Sequence, residues 1–446
     1  MAAALAIAAA AVGAAPVAEP NTQVPEGSRH YAASAFPDRI VASPAQDAAT
    51  GFAVAWRTAP LAVLPVLELA LAGDSPDMGE IRRIEADSRA LQTENGTSQH
   101  HRANVDGLTA DTLYAYRVQG QGTWSAWHHF RTAAAAGQPL TLLYFGDTQN
   151  KNLSLVSRVI RQGWQSAPDA RLVLFAGDLV SGGDGQDDSE WGEWFAAGGS
   201  LLPGVSVAPA AGNHEYFEEF EDTPQERRVL GRHWPMTFAL PGNGAPSAAS
   251  TSYWFDYQDV RIAVLDGTSA LDLGTAAAQV RWLEQVLSGN HHPWSIVVIH
   301  QPVYALREGR DNVQLAEHVL PVLQKHKVDL VLQGHDHTYG RRGDGKAALP
   351  QFISSVAGPK QYRLSDHARA TMTPVAEDTQ LYQVIRIDPQ RLSYESRTAT
   401  GRLYDAFELV RDGDGKRLLE HLEGRITPRD CARSVSPKGR ADRCWE

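Results

Sequence analysis

Cysteine is nearly absent. The 446-residue chain has two, Cys431 and Cys444, both close to its C-terminus. Two thiols exclude a disulfide-built scaffold, and they are too few for a structural zinc site, which takes four ligands. In an exported chain, a disulfide between them would close a short loop worth about 3 kcal/mol. Basic charge is also short: 41 Lys and Arg face 52 Asp and Glu, a net charge of −11. Such a chain lacks the broad basic footprint that nucleic acid or an anionic membrane requires, so neither is expected as a partner. No run beyond residue 18 is long and apolar enough to span a bilayer. Repeats are missing, and alanine alone makes a low-complexity stretch, at the start. What remains is ordinary: 43% apolar and 21% charged residues, enough for two or three domains at about 150 residues each.

Residues 2–18, AAALAIAAAAVGAAPVA, carry no charge and end in small residues. That pattern predicts a secretory signal cleaved after Ala14 or Ala18, and a secreted or periplasmic protein. Residues 19–36 read as a linker. Over 37–133, Phe52, Val54 and Trp56 alternate with small or polar residues, the period of a half-buried strand. Tyr114 and Tyr116 follow a turn, in the position of the tyrosine corner of β-sandwiches. Residues 134–139 read as a second linker. From 140 to 412 the apolar runs LTLLYF, RLVLFA, SIVVIH and DLVLQG alternate with helical spacing at 152–164 and 275–288. Strands alternating with helices predict an α/β layered domain, whose ligands gather at the carboxyl ends of strands. Residues 413–446 read as a peripheral tail.

Five blocks stand at those strand ends: Gly146-Asp147-Thr148-Gln149, Gly177-Asp178, Gly212-Asn213-His214-Glu215, His300, and Gly334-His335-Asp336-His337. Each alone is weak, since Gly-Asp occurs everywhere and a lone His after a strand is usually a satisfied core residue. In this order they supply carboxylates, amides and imidazoles from neighbouring strand tips, a donor set suited to Mn, Fe or Zn.

The ordered set resembles the calcineurin-like metallophosphoesterase superfamily, and within it the bacterial relatives of purple acid phosphatases. Residues 37–133 resemble the fibronectin type III-like sandwich found in front of those enzymes. The resemblance implies an all-β sandwich followed by a domain of two sheets flanked by helices, in αββα layers. It implies two divalent ions, with Asp147, Gln149 and His337 on the first, Asn213, His300 and His335 on the second, and Asp178 bridging. A metal-bridging hydroxide would attack phosphorus while His214, oriented by Glu215, assists the leaving group. Two departures stand out. Purple enzymes carry Tyr three residues after the bridging Asp, where this chain has Ser181, and Gly at the position of Gln149. Without the phenolate, Asp147 and Asp178 are the only anionic ligands, and two divalent ions suit their charge better than a trivalent one.

Arg310, Asn312 and Arg341 follow the motifs closely and are candidate substrate-binding residues, with Arg310 matched to phosphate by its planar fork. Asn95 and Asn152 begin glycosylation sequons by pattern alone. Acidic residues after Asp178 (Asp184, Asp187, Asp188, Glu190) and after Glu215 (Glu218, Glu219, Glu221, Asp222) are expected at the cleft mouth, repelling polyanions and favouring small phosphoesters. The expected activity is that of an acid phosphatase-like phosphomonoesterase. The alternatives are a phosphodiesterase or pyrophosphohydrolase on small nucleotides or phospho-alcohols, and a non-catalytic adhesion or binding protein with a vestigial site.

Overall fold

The computed structural model describes residues 20–60, 64–181, 186–343, 349–413 and 415–421. The leader, Asp184 and both cysteines lie outside the described residues. Among the described residues no helix is long and apolar enough to cross a membrane.

The N-terminal part is a β-sandwich of two four-stranded antiparallel sheets. Alternation builds its core: Phe52, Val54 and Trp56 pack with Leu67, Leu69, Tyr116, Val118 and Phe130. The tyrosine corner is Tyr114, whose hydroxyl accepts from Thr109 N at 3.0 Å. Tyr116 instead reaches across to the following domain, donating to Pro203 O at 2.8 Å.

The second part stacks two seven-stranded sheets. The strands at the centre are apolar on both faces, as the continuous runs require. In Leu140–Phe145, Leu142 and Tyr144 enter the core between the sheets, while Leu143 and Phe145 face the helices outside. Leu172–Phe175 and Trp294–Ile299 divide in the same way. Helices Ser157–Ser166 and Asp188–Gly198 cover the first sheet; Ala276–Ser288 and Val313–Lys325 cover the second. The layers are the expected αββα.

Two segments expected to be peripheral are built in. Gly415–Glu420 pairs antiparallel with Leu403–Asp412 and closes the first sheet, so this domain runs past residue 412. The segment read as a linker before residue 37 is docked: Asn21 Nδ2 donates to Ser181 Oγ at 2.8 Å, and Tyr31 lies against Gly192.

Asp188 joins the two parts. It is fully buried at the start of a helix whose cap is Asp187. Its carboxylate accepts from Arg39 at 2.5 Å, Arg57 at 3.1 Å and Asn95 Nδ2 at 3.0 Å, all from the sandwich, and lies 3.2 Å from His233 Nε2. Burial opposes its charge, but His233 and the two arginines hold its pKa well below the carboxylate range. Asn95 is thereby a buried interdomain donor, and Asn152 is buried donating to Leu179 O. Neither amide is accessible to a glycan.

Removing one partner from a buried ion cluster leaves the others uncompensated. Asp188→Ala is expected to lower stability by about 3–5 kcal/mol, read as a shifted midpoint in urea unfolding followed by tryptophan fluorescence. Because the folded-state pKa is depressed, this contribution is complete above the unfolded carboxylate pKa of about 4 and is lost only as strong acid protonates the folded group. A midpoint within experimental error of the parent would refute the assignment.

Candidate metal centre

Four residues at the strand tips hold backbone angles that side chains seldom adopt: Asp147 (φ 23°), Asp178 (49°), His335 (70°) and His337 (48°). Such strain is kept where surrounding contacts over-determine it. Here the contacts are loops packed backbone to backbone. A side chain on Gly177 would meet Gly212 N at 2.7 Å and His300 Nδ1 at 2.8 Å; one on Gly212 would collide with Asp178 Oδ1. The glycines before Asp147, Asp178, Asn213 and His335 are therefore a condition of the loops' approach.

The tips bring seven of the expected residues together. Asp178 Oδ2 lies 3.2 Å from His300 Nε2 and 2.8 Å from Gln149 Nε2. His300 Nε2 lies 3.2 Å from Asn213 Oδ1 and 3.1 Å from His335 Nδ1. On the other side, His337 Nε2 lies 3.5 Å from Asp147 Oδ1 and 2.9 Å from Gln149 Nε2. Two groups of ligand atoms result, each within a 4.8 Å span: Asp178, His300 and His335, and Asp147, Asp178 and His337. Asp178 belongs to both.

Outer contacts set the imidazoles. His300 Nδ1 donates to Ala176 O at 2.6 Å and His337 Nδ1 to Lys360 O at 2.9 Å, which turns each Nε2 inward. Against its burial, Asp178 and Asp147 raise the His300 pKa to about 9, so a bound cation would take the place of its Nε2 proton. Burial drives His337 down to about 3 and, together with the His300 charge, drives His335 well below the ordinary histidine range. Both are neutral, as ligands must be. Burial also raises the pKa of Asp147, with Asp178 adding to the rise against the pull of His300; Asp178 is held low by His300 and His214 against its own burial.

Cations fit this site. Asp147 and Asp178 are buried, and among the described residues neither pairs with Lys or Arg. Gln149 adds a second sign: its Oε1 is buried without a hydrogen-bond partner while Nε2 points at Asp178 and His337. Rotating the amide by 180° would put the oxygen between them, an arrangement that only a cation makes favourable.

The other expected residues fall into three places. His214 is at the rim, partly exposed, its N–H donating to Asp178 Oδ1 at 2.9 Å. Arg310 donates to Asp336 Oδ1 at 2.8 Å and lines, with Asn312 and Tyr304, a cavity of about 600 Å³ beside the ligand loops. Asn312 donates to Pro302 O at 2.6 Å, which ties down the loop after His300. Arg341 is not a substrate group. It is buried between Asp405, Glu420 and Gln351 and stacks on Phe407. Glu215 differs from its expected part beside His214: its buried carboxylate accepts from Asp178 N (2.9 Å), Leu179 N (2.7 Å) and Gly212 N (2.7 Å), and so shapes the loop of the shared aspartate. The acidic cleft mouth is corrected for most of its residues, though Glu221 and Asp222 are exposed. Asp188 and Glu190 are buried, Asp187 caps a helix, and Glu218 and Glu219 pair with Arg228 and Arg227.

Sequence reasoning passed over Asp336. Buried between the two histidines of Gly334–His337, it accepts from Leu306 N (2.5 Å), Arg307 N (3.1 Å) and Arg310. An acid enclosed between two ligand-type histidines was the available signal. Ser181, at the position of the purple enzymes' tyrosine, accepts from Asn21 and Asn150 at 2.8 Å each.

Residues 37–132 match the family model for the purple acid phosphatase N-terminal domain, and residues 140–339 the model for calcineurin-like phosphoesterases. The chain joins these two domains. An uncharacterized protein of Mycobacterium tuberculosis is 27% identical over 335 residues, 68% of this chain and 62% of that one. The Fe(3+)-Zn(2+) purple acid phosphatase 12 of Arabidopsis thaliana is 28% identical over 279 residues, 58% and 56% of the two chains. The matched regions thus span somewhat more than half the length of these relatives. A purple acid phosphatase from yellow lupin seeds shares the fold, with a TM-score of 0.70 at 18% identity, over 85% of this chain and 75% of that one. The likeness to purple acid phosphatases implies a dimetal centre, and the two groups of ligand-type atoms sharing Asp178 are the candidate place for it.

Substituting Glu215 by Gln places an amide N–H₂ against backbone donors. Glu215→Gln is expected to lower both thermal stability and metal retention, whereas His214→Asn keeps both. Calorimetry with elemental analysis of the two variants checks this, and a Glu215→Gln protein with parental melting and metal content would contradict it.

Proposed function

We propose that the protein is a two-metal phosphoester hydrolase acting as a phosphomonoesterase on small phosphate esters. The supporting observation is the pair of buried ligand groups that share Asp178. Asp147, Gln149, Asp178 and His337 would hold one ion, and Asp178, Asn213, His300 and His335 the other. Bound divalent cations would neutralise phosphoryl oxygens and make a nucleophile of water near neutral pH.

The chain's own groups do the rest. Ala176 O and Lys360 O keep the His300 and His337 rings aimed, so no reorganisation is needed when substrate arrives. His214 is anchored through its backbone to Asp178 and is partly exposed beside the two ligand groups. From the rim it would give a proton to the departing alkoxide oxygen. Asp336 holds Arg310 by one nitrogen, and the rest of that guanidinium fork is available to phosphoryl oxygens. The Ser181 cluster offers no phenolate, which supports two divalent ions, drawn from Mn, Fe and Zn, and a colourless protein. Export is part of the proposal and rests on the uncharged alanine-rich stretch at residues 2–18.

Elemental analysis and turnover test this together. The metal-loaded protein is expected to hydrolyse 4-nitrophenyl phosphate faster than the bis-ester, and chelation should abolish turnover. His214→Asn should retain metal and lose about 10²- to 10⁴-fold in kcat, while Asp178→Asn should lose metal. Parental turnover in metal-replete His214→Asn would sink the acid role. Faster cleavage of the bis-ester would make the protein a diesterase. A visible charge-transfer band would contradict the divalent assignment.

A further inference from the structure

Two loops meet at the rim of the metal centre. Arg307 and Leu364 form an isolated β-bridge, and Glu308 N donates to Arg363 O at 3.0 Å. Both loops are tied to the His335–His337 segment, the first through Asp336 and the second through Lys360 O and Tyr362 N. Tyr362 stands on the candidate ligand His337, with ring centroids 4.8 Å apart. On Tyr362 lies Arg307, its guanidinium carbon 3.9 Å from the ring centroid, and the Lys360 ammonium is 5.6 Å from the same centroid.

Neither Arg307 nor Lys360 has a carboxylate partner among the described residues. Other arginines, Arg342 and Arg363 among them, also make no ion pair among the described residues; what sets Arg307 and Lys360 apart is that both lie against one ring that itself stands on a candidate ligand. Two exposed acids, Glu308 and Asp311, sit on the same loop and make no ion pair with either cation. Stacking holds a guanidinium by its face and leaves its edge donors open, so Arg307 is positioned but not neutralised. The phosphoryl oxygens would be met by the metals and Arg310. Arg307 and Lys360 lie one ring further out, on the His337 side.

We infer that Arg307, Lys360 and Tyr362 form a second anion subsite, and that the preferred substrates are phosphomonoesters carrying another anionic group, carboxylate or phosphate, a few bonds from the scissile phosphoryl. The inference rests on the phosphoester hydrolase reading. Arg307 and Lys360 supply the charge, and Tyr362 orients Arg307. Two nearby cations also raise the capture rate of a doubly charged ligand, an effect that added salt screens.

The test compares three esters on metal-loaded enzyme: ethyl phosphate, phosphoglycolate and 1,3-propanediol bisphosphate. The parent should show kcat/KM at least ten-fold higher on one or both of the doubly charged esters than on ethyl phosphate. Arg307→Ala and Lys360→Ala should each cut that preference at least five-fold, chiefly through KM, and Arg307→Lys should restore part of it. Whichever ester loses more identifies the anion the subsite takes. A parental preference near one, or a preference that survives both substitutions, overturns the subsite and leaves the hydrolase reading standing. Hydrolysis of none of the three, nor of 4-nitrophenyl phosphate, overturns both. Should Arg307→Ala fail to fold, Lys360→Ala decides.

Discussion

Asp147 and Asp178 follow adjacent parallel strands, and both carboxylates are cut off from water. Like charges buried a few ångströms apart repel, and the surroundings answer them with imidazoles and amides but, among the described residues, with no Lys or Arg. The loops that hold them there are strained at four positions and packed so closely that glycine is needed between them. Without cations, such a cluster is an expensive thing for a fold to maintain. With them, the same geometry becomes a source of metal affinity. The buried Glu215 belongs to this logic: it fixes the Asp178 loop by taking three N–H groups, and burial with the Asp178 charge raises its own pKa in doing so.

The layers, and the meeting of the motif residues at one edge of the sheets, were legible in the sequence because each has a local cause. Doubly buried strands must be apolar throughout, and residues that follow them land at the sheet's carboxyl edge. Gly146-Asp147, Gly177-Asp178, Gly212-Asn213 and Gly334-His335 then read directly as a site. The roles of Arg341 and of the acids after Asp178 were not legible, because each depends on a partner distant in sequence. Arg341 is answered by Asp405 and Glu420, the latter on a strand that looked like tail. Asp188 is answered by Arg39 and Arg57 from another domain. Charge near a motif says nothing about where that charge finds its counterion. The stacking of Arg307 on Tyr362 and of Tyr362 on His337 was not legible for the same reason: contacts joining residues 307, 337 and 362 leave no periodic trace.

Asp178, Ser181 and Asp188 tie the site to the sandwich. Asp178 is shared by both ligand groups. Ser181 receives Asn21 and Asn150, and its N–H donates to Glu190 Oε2. Asp188 is gripped by Arg39, Arg57 and Asn95. The polypeptide carrying the shared carboxylate is thus anchored on one side by the first seven-stranded sheet and on the other by a different domain. A sandwich that only decorated the enzyme would need no buried charges at this junction. Arg57 is 1% exposed and engages both Asp38 and Asp188. Burying it costs desolvation that only the assembled junction offsets. The ion cluster therefore makes the docked arrangement of the two domains specific, and the loop of Asp178 inherits that specificity. The N-terminal domain is part of the frame that holds Asp178, the residue shared by the two halves of the candidate metal centre.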